Sequence, residues 1–258
     1  VAKELNNKVG IVTGGTSGIG RHAAVLFAKA GAKVVVAGRR EVEGRETIDL
    51  VHAAGGEGLF VKTDVSQAAQ VHALVQRTVE RFGRLDIAFN NAGVEGSIAP
   101  IAEQSEEDWD RTIDINLKGT WLSLKYEVQQ MLKQGGGGAI VNMASVAGLI
   151  GSAGFATYSA SKHGVMGLTK AAALETARSG IRINVVCPAV IETPMGERLF
   201  GEPEVGNYAL GLHPVGRFGR PTEVAEAVLW MCSDRASFMT GQSLVLDGGF
   251  LAGPNPPA

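Results

Sequence analysis

The stretch Val9-Gly10-Ile11-Val12-Thr13-Gly14-Gly15-Thr16-Ser17-Gly18-Ile19-Gly20 decides how this chain is read. Residues 9–12 form a short apolar run of strand character, and four glycines then fall within seven residues. Behind them Ile19, Ala23, Phe27 and Ala30 recur at helical spacing, and Gly31 stands where a helix would end in a left-handed cap. A second apolar run at 33–37 completes a strand–helix–strand unit. Glycines between the first strand and its helix let the chain turn sharply and let backbone approach a pyrophosphate. They also let the helix pack closely on the strand, while its first N–H groups face the anion. An ordinary strand-to-helix turn is the bland alternative, but so many glycines at the end of the first strand favour a phosphate turn.

The same alternation continues to the end. Strand candidates lie at 58–62, 85–90, 139–143, 181–187 and 243–247, making seven with the first two, and longer amphipathic stretches separate them. Such a pattern implies an α/β fold, a doubly wound and mostly parallel sheet with helices on both faces. The 258 residues, 45% of them apolar, fit one domain over 1–258 with a sizeable core. Gly135 to Gly138 stands between a helical segment and a strand and reads as a surface turn. The tail 253–258, with three prolines, reads as extended and loosely held.

Charge and cysteine content exclude several function classes. A net charge of −2 offers no basic field for nucleic acid or an anionic membrane, so a small molecule is the expected partner. No apolar run approaches the roughly 20 residues of a membrane span, and residues 1–4 run directly toward the first strand. Cys187 and Cys232 lie far apart without metal-ligand spacing, which predicts two core residues, no metal site and a reducing, cytoplasmic location. Cys187 beside Pro188 has no partner base in sequence and is not read as a nucleophile.

The carboxyl ends of the strands carry the remaining signals. After the second strand come Gly38-Arg39-Arg40: the position suited to an acid that would hold a ribose 2′-hydroxyl lacks one, and two guanidiniums are placed to grip a 2′-phosphate. This favours NADP(H), with NAD(H) possible if Arg39 and Arg40 merely open the next helix beside Glu41 or Glu43. Asp64-Val65 ends the third strand, and helix capping near Ser66 competes there with a cofactor role. Asn90-Asn91-Ala92-Gly93 follows the fourth strand, and Ser145 the fifth. Tyr158 and Lys162 stand one helical turn apart, on one face of the helix after that strand. A free phenol ionises near pH 10, roughly, so a tyrosine working as a base needs a positive neighbour, here Lys162 or an oxidised nicotinamide. A tyrosine and lysine four apart are commonplace; their conjunction with Ser145, the asparagine motif and the glycine turn is not.

The motifs TGxxxGxG at 13–20, NNAG at 90–93 and YxxxK at 158–162 resemble those of the short-chain dehydrogenase/reductase family, over nearly the whole chain from Val9 to Asp247-Gly248-Gly249. The resemblance implies a Rossmann-like fold and hydride transfer between a nicotinamide cofactor and a ketone or secondary alcohol. It makes Asn116, Ser145, Tyr158 and Lys162 catalytic, with Tyr158 as acid/base. Asn116 would kink its helix and hold a water linking Lys162 to solvent, or simply bond backbone. Cofactor contacts would come from Gly14, Thr16, Ser17, Gly18, Ile19, Gly20, Arg39, Arg40, Asp64, Val65, Asn91, Ala92, Gly93, Tyr158, Lys162, Pro188, Ile191 and Thr193. Asp64 would accept from the adenine amino group. Ile191 backbone and the Thr193 hydroxyl would hold the carboxamide, and the NNAG motif would also brace the sheet, a role that the sequence does not divide between Asn90 and Asn91. Ala189 departs from the family's usual glycine.

The resemblance also implies a substrate lid at about 194–220, holding Met195, Leu199, Phe200, Tyr208 and His213, and a homotetramer with 237–242 near a subunit contact. Glu95, Ser97, Val146, Leu149 and Phe155 are candidate pocket walls, whereas His163 points away from Tyr158. Three functions are weighed. An NADP(H)-linked carbonyl reductase or alcohol dehydrogenase leads. An NAD-linked sugar- or steroid-type alcohol dehydrogenase is the alternative, and a non-catalytic dinucleotide sensor stands last because it would have no need of the four catalytic residues together.

Overall fold

The computed structural model describes residues 3–253; the first two residues and the tail at 254–258 lie outside that range, and with them most of the proline-rich segment. Among the described residues the strands are β1 (Val9–Thr13), β2 (Lys33–Gly38), β3 (Gly58–Lys62), β4 (Ile87–Asn90), β5 (Gly138–Met143), β6 (Ile181–Pro188) and β7 (Ser243–Leu246). Each end falls within two residues of its sequence expectation. The helices are α1 (Gly18–Lys29), α2 (Glu41–Ala53), α3 (Ala68–Phe82), α4 (Glu106–Ile113), α5 (Gly119–Gln134), α6 (Ala156–Thr176), α7 (Pro194–Phe200), α8 (Pro203–Gly211) and α9 (Pro221–Cys232).

The strands form one sheet in the order β3-β2-β1-β4-β5-β6-β7, and every pairing is parallel. Both faces are covered, which is why the strands read as unbroken apolar runs such as Val34-Val35-Val36-Ala37. Alternate residues divide between two cores. Val12, Val34, Val36, Phe89 and Val141 pack with Phe27 of α1 and Val228 of α9. Ile11, Val35, Ala37, Ala88 and Ile140 pack on the other side with Leu74 of α3, Leu124 and Met131 of α5 and Ala173 of α6. Each fully buried Val, Leu, Ile or Phe is worth about 1.5–3 kcal/mol, so a one-residue register slip in any central strand would exchange side chains between the two cores and misfit both.

The register brings the motifs together. Thr13 of β1 lies beside Ala37 of β2 and Asn90 of β4, and Asn90 beside Asn142 of β5. The segments after β1 to β6 therefore open on one edge of the sheet. Between β1 and β4 the winding reverses, and a doubly wound sheet has its crevice at such a point. Gly31, at a φ of +96°, closes α1 as its spacing predicts. Gly135, Gly136 and Gly137, all at positive φ, form the turn into β5, open at the first two and packed on Gly180 at the third. Cys187 and Cys232 are both buried free thiols. No helix of the described residues is long and apolar enough to cross a membrane.

Candidate active site

A cleft of about 960 Å³ runs along the carboxyl edge of the sheet, from the glycine turn past β4 and β5 to α7 and α8. Its walls include Gly14, Thr16, Ser17, Gly18 and Ile19, then Arg39 and Arg40, Asp64 and Val65, Asn91 to Gly93, Ser145, Tyr158, Lys162, Pro188, Ile191 and Thr193. Gly20 stands behind the turn. A Cβ there would collide with the Gly14 carbonyl and sit 2.6 Å from Asn91 Nδ2. Gly14 has a φ of +64°, and a side chain on it would run into Ala92 backbone at 2.8 Å. No side chain caps the first turn of α1, so that turn is left to present its N–H groups to the cleft. A glycine cradle with free helix amides beside two arginines fits a dinucleotide pyrophosphate and its adenosine end.

The turn is braced from behind. Asn91 Nδ2 donates to the carbonyls of Thr13 and Gly14, each at 3.1 Å, and the Thr13 hydroxyl accepts from Asn91 and Ala92 backbone. Asn90 faces the interior instead, donating to Glu127 Oε2 at 2.9 Å and to Asn142 Oδ1 at 3.1 Å. The structure thus separates two neighbours that the sequence could not: Asn90 ties strands, and Asn91 shapes the cleft. Burial pushes the Glu127 carboxyl up to about 7, against the Asn90 hydrogen bond.

At the adenosine end, Arg40 Nη2 donates to Thr16 Oγ1 at 2.9 Å and Ser17 Oγ at 2.7 Å, while Nη1 lies 3.4 Å from Glu43. This arginine therefore faces the glycine turn and also pairs with the helix it opens. Arg39 is exposed. A Cβ on Gly38 would lie 2.6 Å from Thr16 Cγ2, so the strand end is too tight for an acidic side chain unless Thr16 shifts. Asp64 Oδ1 accepts from Ser66 N and Oγ in a turn before α3, and it does not cap that helix, whose N-cap is Gln67.

At the other end, Ser145 opens a 3₁₀ turn over Val146–Gly148. Its Oγ accepts from Ala147 N at 3.2 Å and lies 3.4 Å from the Pro188 carbonyl. Lys162, only 3% exposed, donates to the Met143 carbonyl at 3.0 Å and places Nζ 5.4 Å from the centre of the Tyr158 ring. Burial pushes the Tyr158 phenol up to about 12, opposed by a hydrogen bond with Ser145 and aided by the charge of Glu95. Burial also pulls the Lys162 ammonium down to about 8. Removing the phenol from water thus outweighs the hydrogen bond with Ser145. At neutral pH the phenol therefore holds its proton and the ammonium is mostly charged.

Asn116 is fully buried in a π-helical turn, Asp114–Lys118, that links α4 to α5. Its Oδ1 accepts from Val94 N at 2.8 Å, and Nδ2 donates to Val94 O at 2.9 Å and Ser161 Oγ at 3.1 Å. The side chain thus bonds backbone, but of another segment: it clips the loop after β4 to the helix carrying Tyr158 and Lys162. A Cβ on Gly93 would sit 3.2 Å from Asn116 Oδ1 and 3.6 Å from Lys162 Nζ, so the three meet at one point.

Thr193 caps α7, its Oγ1 accepting from Gly196 N at 3.1 Å. Ala189 has no positive φ, so its departure from glycine strains nothing. Met195, Leu199, Phe200 and Tyr208 of α7 and α8 line the cleft with Glu95, Val146 and Phe155, whereas Ser97 and Leu149 stand outside it. His213 is buried and structural: Nδ1 donates to the Ala209 carbonyl at 2.8 Å, and Nε2 accepts from Val190 N at 3.4 Å. His163 is exposed, as its helix position predicts. Burial pushes the Cys187 thiol up to about 11, which removes it as a nucleophile. Sequence reasoning did not single out Arg111, Ile150, Arg198, Leu212 and Phe250, which line the cleft from five segments, Arg198 and Leu212 within the stretch expected as a lid. No motif or spacing marks them.

A family model described as enoyl-(acyl carrier protein) reductase matches residues 14–251. The chain is 45% identical over 248 residues to a short chain dehydrogenase/reductase, astE, of Aspergillus oryzae, covering 95% of each protein. It is 45% identical over 250 residues to a cyclohexanol dehydrogenase of an Acinetobacter species, covering 97% of each. The solved structure of levodione reductase superposes with a TM-score of 0.93 at 37% identity, over 97% of this chain and all of that one. With its Rossmann-like parallel sheet, this chain belongs to the short-chain dehydrogenase/reductase family, oxidoreductases that act on CH–OH and C=O groups with NAD(P).

Proposed function

We propose that the protein interconverts a neutral, cyclic ketone and its secondary alcohol with NADP(H), Tyr158 serving as acid and base. The observation that carries this reading is the convergence of Ser145, Tyr158 and Lys162 at the sheet edge, in a cleft that continues to the glycine turn and to Arg39 and Arg40. The bound nicotinamide supplies or accepts the hydride. In reduction, the substrate oxygen lies against Ser145 Oγ and the Tyr158 phenol, and Tyr158 gives its proton to that oxygen as charge builds there. Lys162 then faces the tyrosine as it loses its proton, and the buried ammonium stabilises the phenolate. Oxidation runs the same path backwards. Asn116 keeps the loop wall in register with the catalytic helix, and α7 and α8 act as the lid over the substrate.

The apolar wall of Val146, Ile150, Phe155, Leu199 and Phe200 suits a hydrocarbon ring, and the relative that acts on cyclohexanol supports that class. Arg40 beside Ser17, the tight contact of Gly38 on Thr16 and the lack of an acid at the end of β2 support NADP(H). The existing pairing of Arg40 with Glu43 favours a second reading, NAD(H) use. Fully exposed Phe238, in the segment before β7, supports burial of that surface in a homotetramer. Two free cysteines fit a cytoplasmic setting.

The test is oxidation of NADPH and, separately, NADH with cyclohexanone and related ketones, in wild type and Tyr158→Phe. Turnover that favours NADPH and falls by about 10²–10⁴ in the variant, with cofactor binding retained, is the expected result. Preference for NADH overturns the cofactor assignment, and undiminished turnover in the variant overturns the role of Tyr158.

A further inference from the structure

At the substrate end of the cleft stand three charged side chains that the chemistry above does not use. Glu95, in the loop after β4, is paired across 103 residues of chain with Arg198 of α7, Oε1 accepting from Nε at 2.7 Å. Arg111 of α4 lines the same wall, and its charge reaches Glu95. The Glu95 side chain is largely buried, whereas that of Arg198 is mostly exposed. The carboxyl is held below its ordinary value: burial opposes the charge, but the Arg198 hydrogen bond and the two guanidiniums outweigh it. Asp64 is the other carboxylate on the cleft wall, and it stands at the opposite end, beyond the glycine turn. Without Glu95, two guanidiniums would face the substrate, an arrangement that binds carboxylates.

Resting on the reading of the cleft as a ketone and alcohol site, we propose that Glu95 is its specificity-determining residue. Paired with Arg198 and in the field of Arg111, its carboxylate cancels one of the two guanidinium charges, which weakens the substrate end as an anion site and biases it toward neutral substrates. The charge pattern does this with no contact to the reacting carbonyl. Local charge at the three residues is +1 as they stand; it becomes +2 when Glu95 is neutralised and zero when Arg198 is. The two changes therefore push selectivity in opposite directions. An ion pair that only fastened α7 would behave otherwise, since breaking it from either side loosens the same contact and moves all substrates together.

The probes are a cyclohexanone bearing a ring carboxylate and the methyl ester of that acid, a pair of similar shape that differs in charge. Their kcat/KM values are compared in wild type, Glu95→Gln and Arg198→Met, each checked for cofactor binding. Wild type is expected to prefer the ester. Glu95→Gln is expected to raise the acid-to-ester ratio on the order of tenfold, as for one charge removed within several ångströms at a protein surface, and Arg198→Met to lower it. Added salt is expected to compress both differences. A ratio that moves the same way in both variants, or in neither, overturns the proposal. Absence of wild-type turnover of the ester with either nicotinamide overturns instead the reading of the cleft on which it rests.

Discussion

Lys162→Met is expected to make the protein more stable at neutral pH while abolishing its activity. The ammonium is 3% exposed and its one direct hydrogen-bond acceptor is the Met143 carbonyl. Burial draws its pKa from 10.5 to about 8, so between those values the unfolded chain binds a proton that the folded protein does not. Stability from this group is therefore full above the unfolded value and is lost as the pH falls toward the folded one, by about 1.4 kcal/mol per pH unit. Integrated to near pH 7, the charged lysine costs about 3 kcal/mol; near pH 9.5 it costs about 1 kcal/mol. Methionine fills a similar volume without the charge but leaves the Met143 carbonyl unpaired, a loss of about 1 kcal/mol that does not vary with pH.

The variant should thus exceed wild type by about 2 kcal/mol near pH 7 and match it near pH 9.5. Urea unfolding at both pH values and one fixed chain concentration measures this, and taking the difference between the two proteins cancels every other titrating group. A stability difference that is constant with pH, or that grows as the pH rises, would refute the reasoning, because a lysine stabilised by its surroundings titrates with the opposite sign.

Glu127→Gln tests a buried carboxyl, with the opposite sign. Its pKa is raised to about 7, so wild type loses stability as the pH rises, and the gain from the amide should be about 2 kcal/mol larger near pH 8 than near pH 5 by denaturant unfolding. Asn90 Oδ1 has no hydrogen-bond partner among the described residues and is available to the new amide. Asn116→Ala strands the Val94 N–H and carbonyl and one bond to Ser161; a loss of about 2–4 kcal/mol is expected, together with a fall in kcat out of proportion to any change in cofactor Kd. Equal losses of kcat and cofactor binding there would show that the clip serves the fold alone.

The parallel sheet was legible because its evidence is local. Apolar runs of strand length, the helical spacing of Ala23 and Phe27 and the terminating Gly31 each depend on residues a few positions apart, and backbone geometry allows little else. The glycine turn was legible for the same reason, and Tyr158 and Lys162 needed only one turn of one helix. The resemblance that joined these motifs drew on residues whose spacing the chemistry itself constrains. Other properties depend on distance through space. Whether Asn90 or Asn91 faces the cleft was decided by the pairing of β4 with β5. The role of His213 was decided by Val190 coming within reach of its ring.

What the sequence by itself determined was the fold class, the edge of the sheet on which its motifs gather, and the side chains proposed to react. Only the tertiary structure decided their protonation, since the positions of Tyr158 near 12 and Lys162 near 8 come from burial, which no spacing encodes. Only it decided the far end of the cleft, where Glu95 pairs with Arg198 and Arg111 lines the same wall, each from a separate element. Spacing along a chain governs contacts within a turn or a strand pair; the field inside a cleft is a sum over residues that the fold gathers from far apart.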